Sequence, residues 1–131
     1  MRSDGYIIAG KRILLVDDDD DRRSLFADFL TVLQARCDMA STGVLGIEKM
    51  LNTTYDMIVL DVMLGPMLGW EVFKSVKQRK PDFQTPVLFL TNLGSDAEEA
   101  FRSLDAGKQC QLESKNISAN DLVRVMEGML I

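Results

Sequence analysis

Three short apolar runs in this chain each end on an oxygen-bearing side chain. Residues 13–16 are followed by Asp17 and Asp18, residues 57–60 by Asp61, and residues 87–90 by Thr91. Oxygen donors of this kind suit a hard divalent cation such as Mg2+ or Mn2+. Three carboxylates in one pocket would repel each other and raise one another's pKa values, and a bound cation relieves that repulsion. A carboxylate beside such a cation can attack phosphorus to give an aspartyl phosphate. The transferred group then needs its equatorial oxygens neutralised by the metal, a hydroxyl and a cation. Thr91 can supply the hydroxyl, and the cation is expected from a lysine behind the last strand.

The elements that must position these groups follow from the apolar pattern. Residues 13–16, 57–60 and 87–90 are continuous apolar runs of strand length, as expected of strands buried on both faces. Residues 37–40 and 110–112 are weaker strand candidates. Between them the apolar residues recur at helical spacing: Leu25, Phe26, Phe29, Leu30 and Leu33; Ile47, Met50 and Leu51; Trp70, Phe73 and Val76; Ala97, Ala100, Phe101 and Leu104; and Leu122, Val123, Met126, Met129 and Leu130. Ala106-Gly107 reads as the stop of the fourth helix, and Ser118 with Asp121 as the start of the fifth. Of the aspartate run 17–21, Asp20 and Asp21 fit the first turn of a helix, where they favour its dipole.

Five βα units in a row imply a doubly wound α/β fold, a five-stranded parallel sheet with five helices on its two faces. Ligand sites in such sheets lie at the carboxyl ends of the strands, which is where Asp17, Asp18, Asp61 and Thr91 fall. The chain has 131 residues, enough for one domain. The expected division is an extension at 1–11 and a folded unit at 12–131.

Composition removes other chemistries. There is no histidine, so Ser-His-Asp and Cys-His catalysis and most zinc sites are excluded. Cys37 and Cys110 lack metal or redox spacing and read as reduced thiols. The net charge of −5 argues against direct nucleic-acid binding. No apolar run approaches the ~18 residues of a membrane span, and no secretion signal opens the chain, so a cytoplasmic location is expected. The eight methionines read as core filler.

The segments ILLVDD (13–18), YDMIVLDVM (55–63), GWEVFKSVK (69–77), PVLFLTN (86–92) and LESKNIS (112–118) resemble the receiver domains of two-component response regulators. The resemblance covers residues 11–131 and implies a flavodoxin-like topology with Asp61 as phosphoacceptor. Asp18 and Asp61 would hold Mg2+ directly, Asp17 through water, and the backbone carbonyl of Met63 would be a further ligand. Thr91 would be the switch hydroxyl. A histidine kinase or phosphotransfer protein would supply the phosphoryl group, and the domain would catalyse its own phosphorylation. An output protein or attached domain, or a phosphorylation-dependent homodimer, would read the switched surface.

The sequence also departs from the family pattern. The loop behind the acceptor reads Gly65-Pro66 where the family has Pro-Gly, so its backbone should differ. Leu68 replaces a frequent Asp. Gln111 stands at the aromatic switch position. A gap-free match puts Ser114 at the usual lysine position and Lys115 one residue later. A one-residue slip on a strand reverses the side chain's face. Either a bulge returns Lys115 to the pocket or the site lacks its cation. The family's lysine is frequently followed by a cis proline, but neither Lys115 nor Asn116 is proline, so no cis peptide is expected. These departures keep a second reading in view, a degenerate receiver acting as a phosphorylation-independent interaction module. A small Mg2+-dependent phosphatase is a weaker third, because Met63 stands where such enzymes carry a second Asp.

Overall fold

The computed structural model describes residues 6–92 and 94–131. Each apolar run forms a strand: β1 (Arg12–Val16), β3 (Met57–Asp61) and β6 (Val87–Thr91), with every residue of β3 buried. The weaker candidates form β2 (Arg36–Ala40) and β7 (Cys110–Ser114). These five pair in parallel in the order β2-β1-β3-β6-β7. The two polar strands lie at the edges, where only one side must be paired, and the three apolar ones fill the middle.

Alternation splits the strand side chains between two cores. Leu14, Val16, Ile58, Leu60, Val87 and Phe89 face α2 (Gly43–Asn52), α3 (Gly69–Arg79) and α4 (Ser95–Leu104). Ile13, Leu15, Met57, Val59 and Leu88 face α1 (Asp20–Val32) and α5 (Ala119–Met129). Phe89 is fully buried and meets Trp70 at 4.6 Å, Phe73 at 6.1 Å and Phe101 at 6.3 Å between ring centroids. Tilted and edge-on pairs of this kind contribute about 0.5–1.5 kcal/mol each beyond their burial. They tie α3 and α4 to the strand that carries Thr91.

Several local expectations change. Leu30 is fully buried as expected of the α1 stripe, but Leu25 is 72% exposed and Ala27, outside that stripe, is buried in its place. The fourth helix stops earlier than Ala106-Gly107: Asp105 takes the left-handed conformation at φ 50° and caps it. Residues 6–11, part of the expected extension, pack onto the folded unit. Ile8 is fully buried in the α1/α5 core, and Gly10 N–H donates to the Gln34 carbonyl at 2.8 Å. Residues 1–5 of the expected extension lie outside the described residues.

Between β3 and α3 the chain makes a small hairpin, β4 (Met63–Leu64) with β5 (Met67–Leu68), turned by Gly65-Pro66. Gly65 has φ +72°. Positive φ at the first central position, with proline's fixed negative φ at the second, is the signature of a type II′ hairpin turn. The reversed dipeptide therefore builds a tight hairpin. Leu68 has no side-chain oxygen to cap α3, and the Glu71 carboxylate accepts from its N–H at 2.9 Å instead.

Candidate functional site

The carboxyl ends of β1, β3 and β7 converge. Asp17 and Asp18 leave β1, and Asp61 ends β3. One carboxylate oxygen from each of the three lies within 4.8 Å of the others. Asp18 is exposed, Asp17 half-buried and Asp61 only 4% exposed. This all-oxygen set, graded from core to solvent, fits a hard divalent cation entering from the open side.

Lys115 completes the pocket. Its Nζ lies 2.7 Å from Asp61 Oδ1, with the lysine side chain 11% exposed and that of Asp61 3%. No bulge is needed. β7 pairs with β6 in unbroken register from Val87↔Cys110 to Thr91↔Ser114, and the strand ends at Ser114. Lys115 N–H donates to the Thr91 carbonyl at 2.9 Å, and Ile117 N–H to the Ser114 carbonyl at 3.1 Å. The chain is thus already turning at Lys115, and the strict alternation of a strand no longer applies. Ser114 is exposed. No cis peptide occurs among the described residues.

Burial raises the Asp61 carboxyl above its ordinary value of 3.8, opposed by the hydrogen bond and charge of Lys115 and by the Met63 N–H. That N–H donates to Oδ1 at 3.1 Å. Asp61 Oδ2 faces a second cation, Arg22 Nη2, at 3.4 Å. The Arg22 guanidinium also grips Asp17, with Nε 2.7 Å from Oδ2 and Nη2 2.9 Å from Oδ1. The Asp17 hydrogen bond raises the arginine's pKa further, so it stays charged. Arg23 anchors the loop from below, donating to the Asp17 carbonyl at 2.7 Å. Asp19 is the N-cap of α1, accepting from Arg22 N–H at 2.8 Å, which lowers its own pKa.

Arg22 is the site residue that the sequence pattern did not single out. Its signal was there: it lies five residues after Asp17, in the first turn of a helix capped from within the aspartate run. Thr91 ends β6 and is 5% exposed, and it lines a surface cavity with Asn92, Glu98 and Ser114. Met63 begins the hairpin and is 46% exposed. Gln111 is exposed on the edge strand, with Phe101 and Arg102 beside it.

Residues 13–127 match the family described as the response regulator receiver domain, and the chain belongs to that family. It is 35% identical over 95 residues to the regulatory protein VanRB of Enterococcus faecalis, covering 72% of this chain and 41% of that protein. It is 30% identical over 115 residues to the luminescence regulatory protein LuxO of Vibrio campbellii, covering 84% and 25%. The chain thus spans less than half the length of these curated relatives. Among solved structures, a CheY-like receiver domain from Methanospirillum hungatei superposes with TM-score 0.80 at 25% identity, over 93% of this chain and 94% of that one. The response regulator TrrA of Thermotoga maritima, solved in complex with Mg2+-BeF, superposes with TM-score 0.75 at 25% identity, over 92% and 99%. No helix among the described residues is long and apolar enough to cross a membrane.

Proposed function

We propose that this receiver domain takes a phosphoryl group on Asp61 and switches a partner-binding surface in response. The observation that carries this reading is the pairing of Asp61 with Lys115 at 2.7 Å beside the Asp17-Asp18-Asp61 cluster. The donor would be a phosphohistidine on a histidine kinase or phosphotransfer protein. A carboxylate oxygen of Asp61 attacks phosphorus, the P–N bond breaks, and the imidazole leaves with the bonding pair. Asp61, buried against the sheet, presents its carboxylate at the open end of β3, where Lys115 favours the ionised form against the desolvation that opposes it. Lys115 neutralises the transferred group from one side and Thr91 approaches it from the end of β6. Asp18, Asp61 and the Met63 carbonyl would hold Mg2+ or Mn2+, with Asp17 acting through water, and the ion would neutralise charge on the phosphoryl oxygens.

The responding surface is the face formed by β6, β7, α4 and α5, read by an output protein, an attached domain or a second copy. The exposed Gln111 cannot act there as an aromatic rotamer, so the signal would pass through the backbone of β6 and β7, which Lys115 N–H and the Thr91 carbonyl join. The working unit is residues 12–131, with residues 6–11 packed upon it.

The test is incubation with Mg2+ and a small phosphodonor or beryllium fluoride, wild type against Asp61→Asn, followed by intact mass or fluorine NMR. A Mg2+-dependent adduct in the wild type alone is expected. No adduct together with no Mg2+ binding refutes the reading and favours a constitutive interaction module.

A further inference from the structure

The guanidinium of Arg22 lies across Asp17 and Asp61, two of the three carboxylates that a divalent cation must share. Both oxygens of Asp17 are taken by Arg22, at 2.7 and 2.9 Å, and Nη2 reaches Asp61 Oδ2 at 3.4 Å. A fork that spans two carboxylates relieves their mutual repulsion as a metal would, without the metal. A divalent cation on the same oxygens would lie at contact distance from the guanidinium, so the two positive charges repel and compete for these acceptors.

The arginine also has somewhere to go. Its side chain is 40% exposed, so it stands on the solvent side of the pocket. Its Nη1 already lies 4.0 Å from Oδ2 of Asp19, on the rim. Rotation about its side chain would keep a carboxylate partner while clearing Asp17 and Asp61. Its backbone N–H stays bonded to Asp19 throughout, so α1 need not move.

We propose that Arg22 is a built-in competitor for the cation site, closed on Asp17 and Asp61 before loading and displaced toward Asp19 by the divalent ion. It sets the Mg2+ concentration at which the domain becomes competent. The proposal rests on the Mg2+-dependent reading above and adds a named residue that opposes loading.

Calorimetric titration with Mg2+ alone tests it, using the full chain as wild type, Arg22→Ala, Arg22→Gln and Arg22→Lys. Removing the fork should tighten Mg2+ binding about tenfold in Ala and Gln, as expected for a half-exposed bidentate pair. Lys keeps the charge but not the fork, and should recover a good part of that gain. Equal affinity in wild type and Arg22→Gln overturns the competitor while leaving the phosphoacceptor reading intact. Lysine behaving like arginine also overturns it, since general charge and not the fork would then be the cause. Absence of Mg2+ binding in every variant overturns both. The Arg22 Nε–H resonance, assigned by its loss in Arg22→Gln, gives a second readout. It should be visible without Mg2+ and vanish at saturation, and a resonance that persists unshifted refutes the displacement.

Discussion

Replacing Lys115 by Met removes the ammonium opposite Asp61 while keeping the length and apolar stem of the side chain. Breaking a fully buried ion pair by deleting one partner costs about 3–5 kcal/mol. Here Arg22 stays 3.4 Å from the second oxygen and the Met63 N–H stays on the first, so about 1.5–3 kcal/mol is expected at neutral pH. The pH dependence follows from Asp61. Its folded pKa is already raised above 3.8 by burial, and Lys115 supplies the two largest opposing effects. Without Lys115 the folded pKa climbs further, so the folded state binds the proton more tightly than the unfolded one. Stability from that proton is fully present below pH 3.8 and is lost as pH rises through the raised pKa. Between the unfolded and folded values the loss runs at about 1.4 kcal/mol for every pH step of one. The deficit of Lys115→Met should therefore be small near pH ~4 and larger near pH ~7. Urea denaturation of wild type and variant at both pH values measures it. Asp61→Asn in the Lys115→Met background should return most of the loss, since no buried charge is then left unpaired. A deficit under about 0.5 kcal/mol at both pH values, or one that does not grow with pH, would refute the pairing.

Two further substitutions probe the frame around the site. A Cβ at Gly69 would lie 2.6 Å from the Asp61 carbonyl oxygen and 3.2 Å from Val62 Cα, both backbone atoms that cannot swing aside. Gly69→Ala should therefore cost about 1–3 kcal/mol and displace Asp61, weakening Mg2+ binding. Unchanged denaturation and Mg2+ titration would show that the strand can yield. Ile8→Ala should cost about 2–5 kcal/mol if residues 6–11 belong to the folded core, as the complete burial of Ile8 requires. A midpoint equal to wild type in the same urea titration would mean that this segment is not held in solution.

Local chemistry carried much of this protein. Three apolar runs without alternation could only be interior strands, and the residue after each run had to emerge at one end of the sheet. Asp17, Asp18, Asp61 and Thr91 were legible for that reason alone, as were the helices whose apolar residues recur at helical spacing. The edge strands were harder to read. The one-sided burial of β2 and β7 leaves a weak pattern, and an edge is defined only by its neighbours.

Tertiary structure decided what period and propensity leave open. Lys115 reaches Asp61 because β7 ends at Ser114 in register with Thr91, and where a strand ends depends on its partner, not on its own residues. Leu25 is exposed because none of the described elements covers that side of α1. Ile8 is buried because the α1/α5 core closes over it. Arg22 spans Asp17 and Asp61 only because β1 and β3 are adjacent, bringing together carboxylates that are distant in the chain. The sequence alone placed the acid groups at one end of a sheet, and long-range strand pairing chose the cations that face them.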